Sequence, residues 1–210
     1  MDDLTRGDRE AAVALLTEAF DSDPFFRFLA PEDAERERLI GEVMRGNFEL
    51  ALGAGMAFGV RGDGDVEGVC LWFGPGSYPP PAWRAVIARG GSVARTVLRW
   101  IGAPSKARPE MVTSALRIET LMDEAHPEAP YWYLQVLGVD PRRQGRGLGS
   151  RMLRDALAMA DDAGVLSVLE TSKPANLRVY ERFGFRITRT NRIDGSPPIW
   201  TMQRARGGHP

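Results

Sequence analysis

The chain has 210 residues, 43% hydrophobic and 26% charged, which is enough to bury a core without disulfide or metal staples and unlike any disordered, collagenous or coiled-coil chain. Lys+Arg 27 against Asp+Glu 28 leaves a net charge of -1, so there is no global basic field for nucleic acid or anionic lipid. One cysteine, Cys70, cannot form an intramolecular disulfide. With a polar, acidic start and no apolar run near the roughly 18 residues of a membrane span, it points to a cytoplasmic, non-membrane protein.

Apolar residues from Asp8 to Phe20 fall at helical spacing, so a helix is expected there, with Pro24 just beyond its end. A second helix is expected from Ala34 to Leu52, closed by Gly53 and Gly55. Residues 56–60 and 66–73 read as two strands joined by the turn-rich 61–65, a hairpin signal.

Gly74-Pro75-Gly76 and Pro79-Pro80-Pro81 then break the pattern. Helical periodicity resumes over 82–101 and 108–124, making about 78–130 a helical insertion between strands. Tyr131 to Val139 reads as a strand, Gly147 to Ala163 as a helix, Val165 to Thr171 as a buried strand and Ala175 to Arg182 as a short helix. Two strands follow, near 185–192 and 199–204. Together these predict one mixed α/β sheet in a single domain spanning 1–210.

The segment Asp140-Pro141-Arg142-Arg143-Gln144-Gly145-Arg146-Gly147-Leu148-Gly149-Ser150 leaves a strand and opens an amphipathic helix. Backbone N–H groups there lack intrahelical partners, and the helix dipole is locally positive. Three glycines allow close approach and the arginines add charge, which suits a pyrophosphate. A loop that merely turns tightly is the other reading. A dinucleotide fold fits poorly. The spacing Gly145-x-Gly147-x-x-Ser150 fails the fingerprint at its third position, and about 60 residues are too few for the remaining βαβ units. No P-loop motif is present.

Gln144-x-x-Gly147-x-Gly149 resembles the Q/R-x-x-G-x-G/A signature of the GNAT superfamily of N-acetyltransferases. Leu137-Gly-Val-Asp-Pro, Leu169-Glu-Thr-Ser172, Asn176 and Tyr180-Glu-Arg-Phe-Gly-Phe185 follow in family order and look like the puromycin N-acetyltransferase-like branch. The resemblance covers roughly 130–204, the expected cofactor-binding core. It implies an α/β (α+β) fold with a mostly antiparallel central sheet splayed at an acetyl-CoA cleft.

It also implies an acetyl-CoA-dependent N-acetyltransferase acting on an amine of a small molecule or peptide. Leu137, Gly138 and Val139 would meet the pantetheine arm. Arg142, Gln144, Gly145, Arg146, Gly147, Leu148, Gly149 and Ser150 would meet the pyrophosphate. Asn176 would contact coenzyme A, and Tyr180, four residues on and so on the same helix face, would protonate the departing thiolate. A homodimer is compatible with this reading, and acceptor choice would lie in the insertion.

From chemistry alone, Glu170 at its strand end is the carboxylate best placed to deprotonate an amine, or else a residue bonding nearby N–H groups. Tyr133 and Gln135 are expected to face the acceptor, so the central strand offers no carboxylate. Part of Tyr131-Trp132-Tyr133, with Trp72 and Phe73, would line the acceptor pocket. His126 reads as an exposed loop residue and Cys70 as core. No set has metal-ligand spacing, so no metal is expected. A catalytically silent acyl-CoA-binding module and, less well supported, a nucleotide-binding oxidoreductase are the alternatives; Tyr180 with Asn176 argues against the silent module.

Overall fold

The computed structural model describes residues 1–79, 114, 117–118, 120–128 and 130–207. In chain order it contains β1 (Asp2–Asp3), α1 (Arg9–Phe20), α2 (Pro24–Leu29), α3 (Asp33–Gly53), β2 (Ala57–Gly62), β3 (Asp65–Phe73), β4 (Tyr131–Val139), α4 (Leu148–Asp162), β5 (Leu166–Thr171), α5 (Pro174–Arg182), β6 (Arg186–Asn191) and β7 (Ile199–Arg204). One seven-stranded sheet runs β1-β2-β3-β4-β5-β7-β6. Only β4 and β5 pair in parallel; the other pairs are antiparallel.

Local chemistry explains most boundaries. Thr5 donates from both N and Oγ1 to Asp8 Oδ2 at 2.8 Å, which fixes the turn into α1. The Arg61 guanidinium and the Thr5 donors hold the Asp8 carboxyl down at about 2. Asp63 (φ 52) and Gly64 (φ 91) make the two-residue turn between β2 and β3, the Asp-Gly solution that matches strand twist. α2 was not expected. Pro24 does not merely follow α1 but opens α2 at its first position, capped by Asp23, whose Oδ1 accepts from Phe25 N at 2.9 Å. Proline is well suited there, because a first-turn N–H has no intrahelical partner anyway. The expected helix over 82–101 lies outside the described residues; of 108–124, residues 114, 117–118 and 120–123 are helical.

Period-two alternation sends successive strand residues to two cores. Val69, Leu71, Phe73, Tyr131, Tyr133 and Val168 join Leu16, Ile40, Met44 and Phe48 of α1 and α3. Cys70, Trp72, Trp132, Leu134 and Leu169 join Met152, Leu153 and Ala156 of α4, with Tyr180 and Phe185. Trp72 therefore sits edge-on to Trp132 at 6.3 Å on the α4 side, not with Phe73 as expected.

The parallel ladder between β4 and β5 runs from Tyr131↔Leu166 to Leu134↔Leu169 and stops. β4 continues to Val139 and β5 to Thr171, so the sheet forks there. Beyond the fork, β4 keeps its β3 partner, while its other edge has no strand partner among the described residues.

Arg204, a buried residue of β7, anchors the turn behind α5. Its Nε donates to the Phe183 carbonyl at 2.9 Å, and Nη1 and Nη2 reach Asp161 at 2.5 and 2.9 Å. Arg204→Met is expected to lower unfolding free energy by about 2 kcal/mol, because Arg204 is buried while its partner Asp161 is a third exposed. Urea denaturation of the two proteins checks this.

Candidate active site

The turn from β4 into α4 is built around two left-handed glycines, Gly145 (φ +77) and Gly147 (φ +81). A Cβ built on either meets nothing within 4 Å, so glycine is required by backbone conformation while the space before the turn stays open. Gln144 Nε2 donates to the Val139 carbonyl at 3.1 Å, pinning the turn to its strand. Gly147 caps α4 with no side-chain hydrogen bond, and Arg151 N is the donor that reaches back to Gly147 O, at 2.9 Å. The N–H groups of Leu148, Gly149 and Ser150 are thus first-turn donors without an intrahelical acceptor, at the positive end of the dipole.

These residues line a cleft of about 530 Å³, together with Leu137, Gly138 and Val139 of the unpaired β4 edge and Asn176 and Tyr180 of α5. Of the expected cofactor-binding set, Arg142 and Arg146 do not line it. Arg142 folds back on Asp140, with Nη2 to Oδ2 at 2.8 Å, and this pairing holds the Asp140 carboxyl below its usual range. Lys173 and Arg182 supply cations to the cleft instead. They come from the start and end of α5, far along the chain, and no spacing in the sequence marks them.

A second cleft of about 210 Å³ adjoins the first and shares Phe20, Asp23, Leu137, Asn176 and Tyr180 with it. Its walls include Phe25, Phe26, Met44, Asn47, Tyr133, Gln135 and Glu170. Tyr133 and Gln135 thus both line this cleft. Glu170 lies at the fork, its side chain 6% exposed, with Oε1 at 2.7 Å from His126 Nε2. The His126 ring is equally buried, not exposed as its loop position suggests, and its Nδ1 is 2.9 Å from the Tyr131 hydroxyl. With Nε2–H donating to the carboxylate, Nδ1 accepts the phenolic proton. Burial, then the Glu170 charge, pushes Tyr131 up to about 12, so it remains a donor. Burial and the Glu170 charge, then the neighbouring Tyr78 and the approach of its own hydroxyl to the Glu170 carboxylate, raise Tyr133 further.

Tyr180 is 7% exposed and meets Phe185 edge-on at 6.0 Å. Burial drives its pKa upward, so the phenol stays protonated at neutral pH. Asn176, one turn earlier, is inside α5 and not its cap, which is Lys173; its Nδ2 donates to Thr171 Oγ1 at 3.3 Å. Cys70 is core. Burial pushes its thiol up to about 12, which removes any nucleophilic thiolate. Among the described residues no group of three or more His, Cys, Asp or Glu side chains is arranged to hold a metal, and no helix is long and apolar enough to cross a membrane. The neutral Tyr180 phenol thus lines both clefts, and the Glu170 carboxylate lines the second alone.

Comparison with known proteins agrees with this fold. Residues 112–185 match the model of the Acetyltransferase (GNAT) family. An uncharacterized N-acetyltransferase of Schizosaccharomyces pombe is 29% identical over 182 residues, which is 85% of this chain and 70% of that protein. N-alpha-acetyltransferase RimI of Mycobacterium tuberculosis is 36% identical over 83 residues, 37% of this chain and 52% of that protein. Among solved structures, the histone acetyltransferase HPA2 and related acetyltransferase from Corynebacterium glutamicum superposes with a TM-score of 0.65 at 23% identity, covering 98% of this chain and 95% of that one.

Proposed function

Because the chain belongs to the GNAT superfamily of N-acetyltransferases, we propose that it moves the acetyl group of acetyl-CoA onto an amine of a small molecule or peptide by direct attack in a ternary complex. The observation that carries this reading is the junction of the two clefts at Leu137, Asn176 and Tyr180. It joins a site suited to a long phosphorylated thioester to a buried site that contains a carboxylate.

The residues divide the work. First-turn donors of Leu148, Gly149 and Ser150 hold the pyrophosphate, with Lys173 and Arg182 as nearby cations. The free edge of β4 over Leu137–Val139 pairs with the pantetheine amides as an added strand would, and a backbone amide near Leu137 polarises the thioester carbonyl. When bound, acetyl-CoA supplies an acyl carbon open to attack and a thiolate leaving group. Glu170 takes the proton that the attacking nitrogen sheds, and Tyr180 delivers one to sulfur. No acyl-enzyme is required, and the buried Cys70 thiol could not form one. We place this chemistry in the cytoplasm, where a lone reduced cysteine is at home.

Tyr180→Phe tests the assignment of the acid. The ring contact with Phe185 survives, so the variant is expected to fold and to bind acetyl-CoA as the parent does. Its kcat should fall about 10²-fold, the low end for general acid catalysis, because a coenzyme A thiolate also leaves unaided. A near-parental kcat would make Tyr180 a packing residue.

A further inference from the structure

Two polar atoms at the fork have no hydrogen-bond partner among the described residues. Glu170 Oε2 and Gln135 Oε1 are both buried, and neither accepts a hydrogen bond among the described residues. Their positions follow from register. Leu134↔Leu169 is the last pair of the parallel ladder, so Gln135 and Glu170 are the next residue on each strand, side by side where the strands part. Both line the acceptor cleft. Their orientations are set from behind. Gln135 Nε2 donates to Asn47 Oδ1 at 3.1 Å, with Asn47 itself 8% exposed, which leaves Oε1 for the cleft. His126 occupies the other oxygen of Glu170.

A buried acceptor without a donor is costly, and folded proteins rarely tolerate one. Two of them at one fork call for a ligand that brings two donors. We propose that Gln135 makes this site selective for primary amines: its Oε1 and Glu170 Oε2 together hold the two N–H bonds of the attacking nitrogen. This rests on reading the second cleft as the acceptor pocket.

A neutral primary amine has two N–H bonds, one carbon substituent and a lone pair. Placing one N–H on each oxygen leaves the lone pair for the thioester carbon. As the N–C bond forms, nitrogen gains positive charge and the proton facing Glu170 passes to its carboxylate. The C–S bond then breaks with its electron pair on sulfur, which takes the Tyr180 proton. The product amide keeps its remaining N–H on Gln135. A secondary amine has one N–H, so its extra alkyl group must sit against one of the two oxygens and leave that oxygen unpaired. Gln135 is therefore a specificity residue that acts on the nucleophile, while the proton goes to Glu170.

The test compares the parent with Gln135→Met, which keeps side-chain length and removes Oε1, and Gln135→Glu, which restores an acceptor oxygen. For an acceptor identified by CoA release, kcat/KM is measured for the primary amine and its N-methyl analogue. The parental preference for the primary amine should fall at least about tenfold in Gln135→Met, through loss on the primary substrate, and recover in part in Gln135→Glu. Coenzyme A affinity, measured alongside, should not change. An unchanged preference in Gln135→Met overturns the role of Gln135 and leaves acetyl transfer standing. If the parent acetylates no amine, the acetyl-transfer reading fails. The amine site is then judged by NMR titration of the CoA-loaded protein with propylammonium and N,N-dimethylpropylammonium. A parental preference for propylammonium that Gln135→Met abolishes supports the site, and equal binding of the two ions by the parent overturns it.

Discussion

Glu170→Gln is expected to lower kcat/KM for the amine by about 10³-fold, within the range for removing a general base, while coenzyme A affinity stays within about twofold. The two effects separate because Glu170 lines the second cleft but not the one at the glycine turn. The amide retains the size of the carboxylate and still accepts from His126 Nε2 through one oxygen, so packing at the fork is preserved. What it lacks is a site that can take the proton shed by the attacking nitrogen. The residual activity of the variant should rise with pH as more of the acceptor becomes free amine. Steady-state kinetics across pH, with calorimetric titration of coenzyme A, checks both parts. A variant with parental kcat/KM would reduce Glu170 to an anchor for His126 and Tyr131.

Gly147→Glu should bind coenzyme A at least about 10²-fold more weakly, or below detection. Three effects act together. The residue has φ +81, a conformation that costs any side chain with a Cβ roughly 1–2 kcal/mol. Its Cβ would project into the open space before the turn. A carboxylate there would also satisfy the donors and dipole of the α4 N-terminus in place of the pyrophosphate. That last effect favours the helix itself, so the variant should remain folded. Gly147→Ala separates the contributions: it carries the backbone cost without the charge and should lose only a few-fold. Calorimetry on the folded variants decides; an unchanged affinity in Gly147→Glu would remove the turn from the cofactor site.

Much of this architecture could be read from residues close together in sequence. β4 over Tyr131–Val139 and β7 over Ile199–Arg204 stand where their apolar runs predict, since Pro130 precedes the first and Pro197-Pro198 the second. The glycine turn was legible because its requirement is local: positive φ at Gly145 and Gly147 and an uncapped helix start. The GNAT resemblance followed from that motif and the ones after it, and the mostly antiparallel, forked sheet agrees with it.

What stayed hidden depends on contacts between distant residues. His126 reads as an ordinary loop residue until the fold brings it to Glu170, 44 residues away. Gln135 was placed on the acceptor face by alternation, but its partner Asn47 lies 88 residues upstream, and no pattern joins them. Arg142 and Arg146 looked like phosphate ligands because they sit in the motif. Asp140, two residues before Arg142, pairs with the first; Arg146 is exposed and is not among the residues that line the cleft. Pro24 was read as a stop, whereas the preceding Asp23 makes it the first residue of a helix.

The most direct test of acetyl transfer is incubation of the purified chain with acetyl-CoA and a panel of primary amines, following free thiol and the mass of each amine together. Acetyl transfer requires that at least one amine gain a single acetyl group in step with coenzyme A release, and that both signals collapse in Glu170→Gln. Tight coenzyme A binding with no acetylated amine from the panel would contradict it and mark the chain as a silent acyl-CoA-binding module.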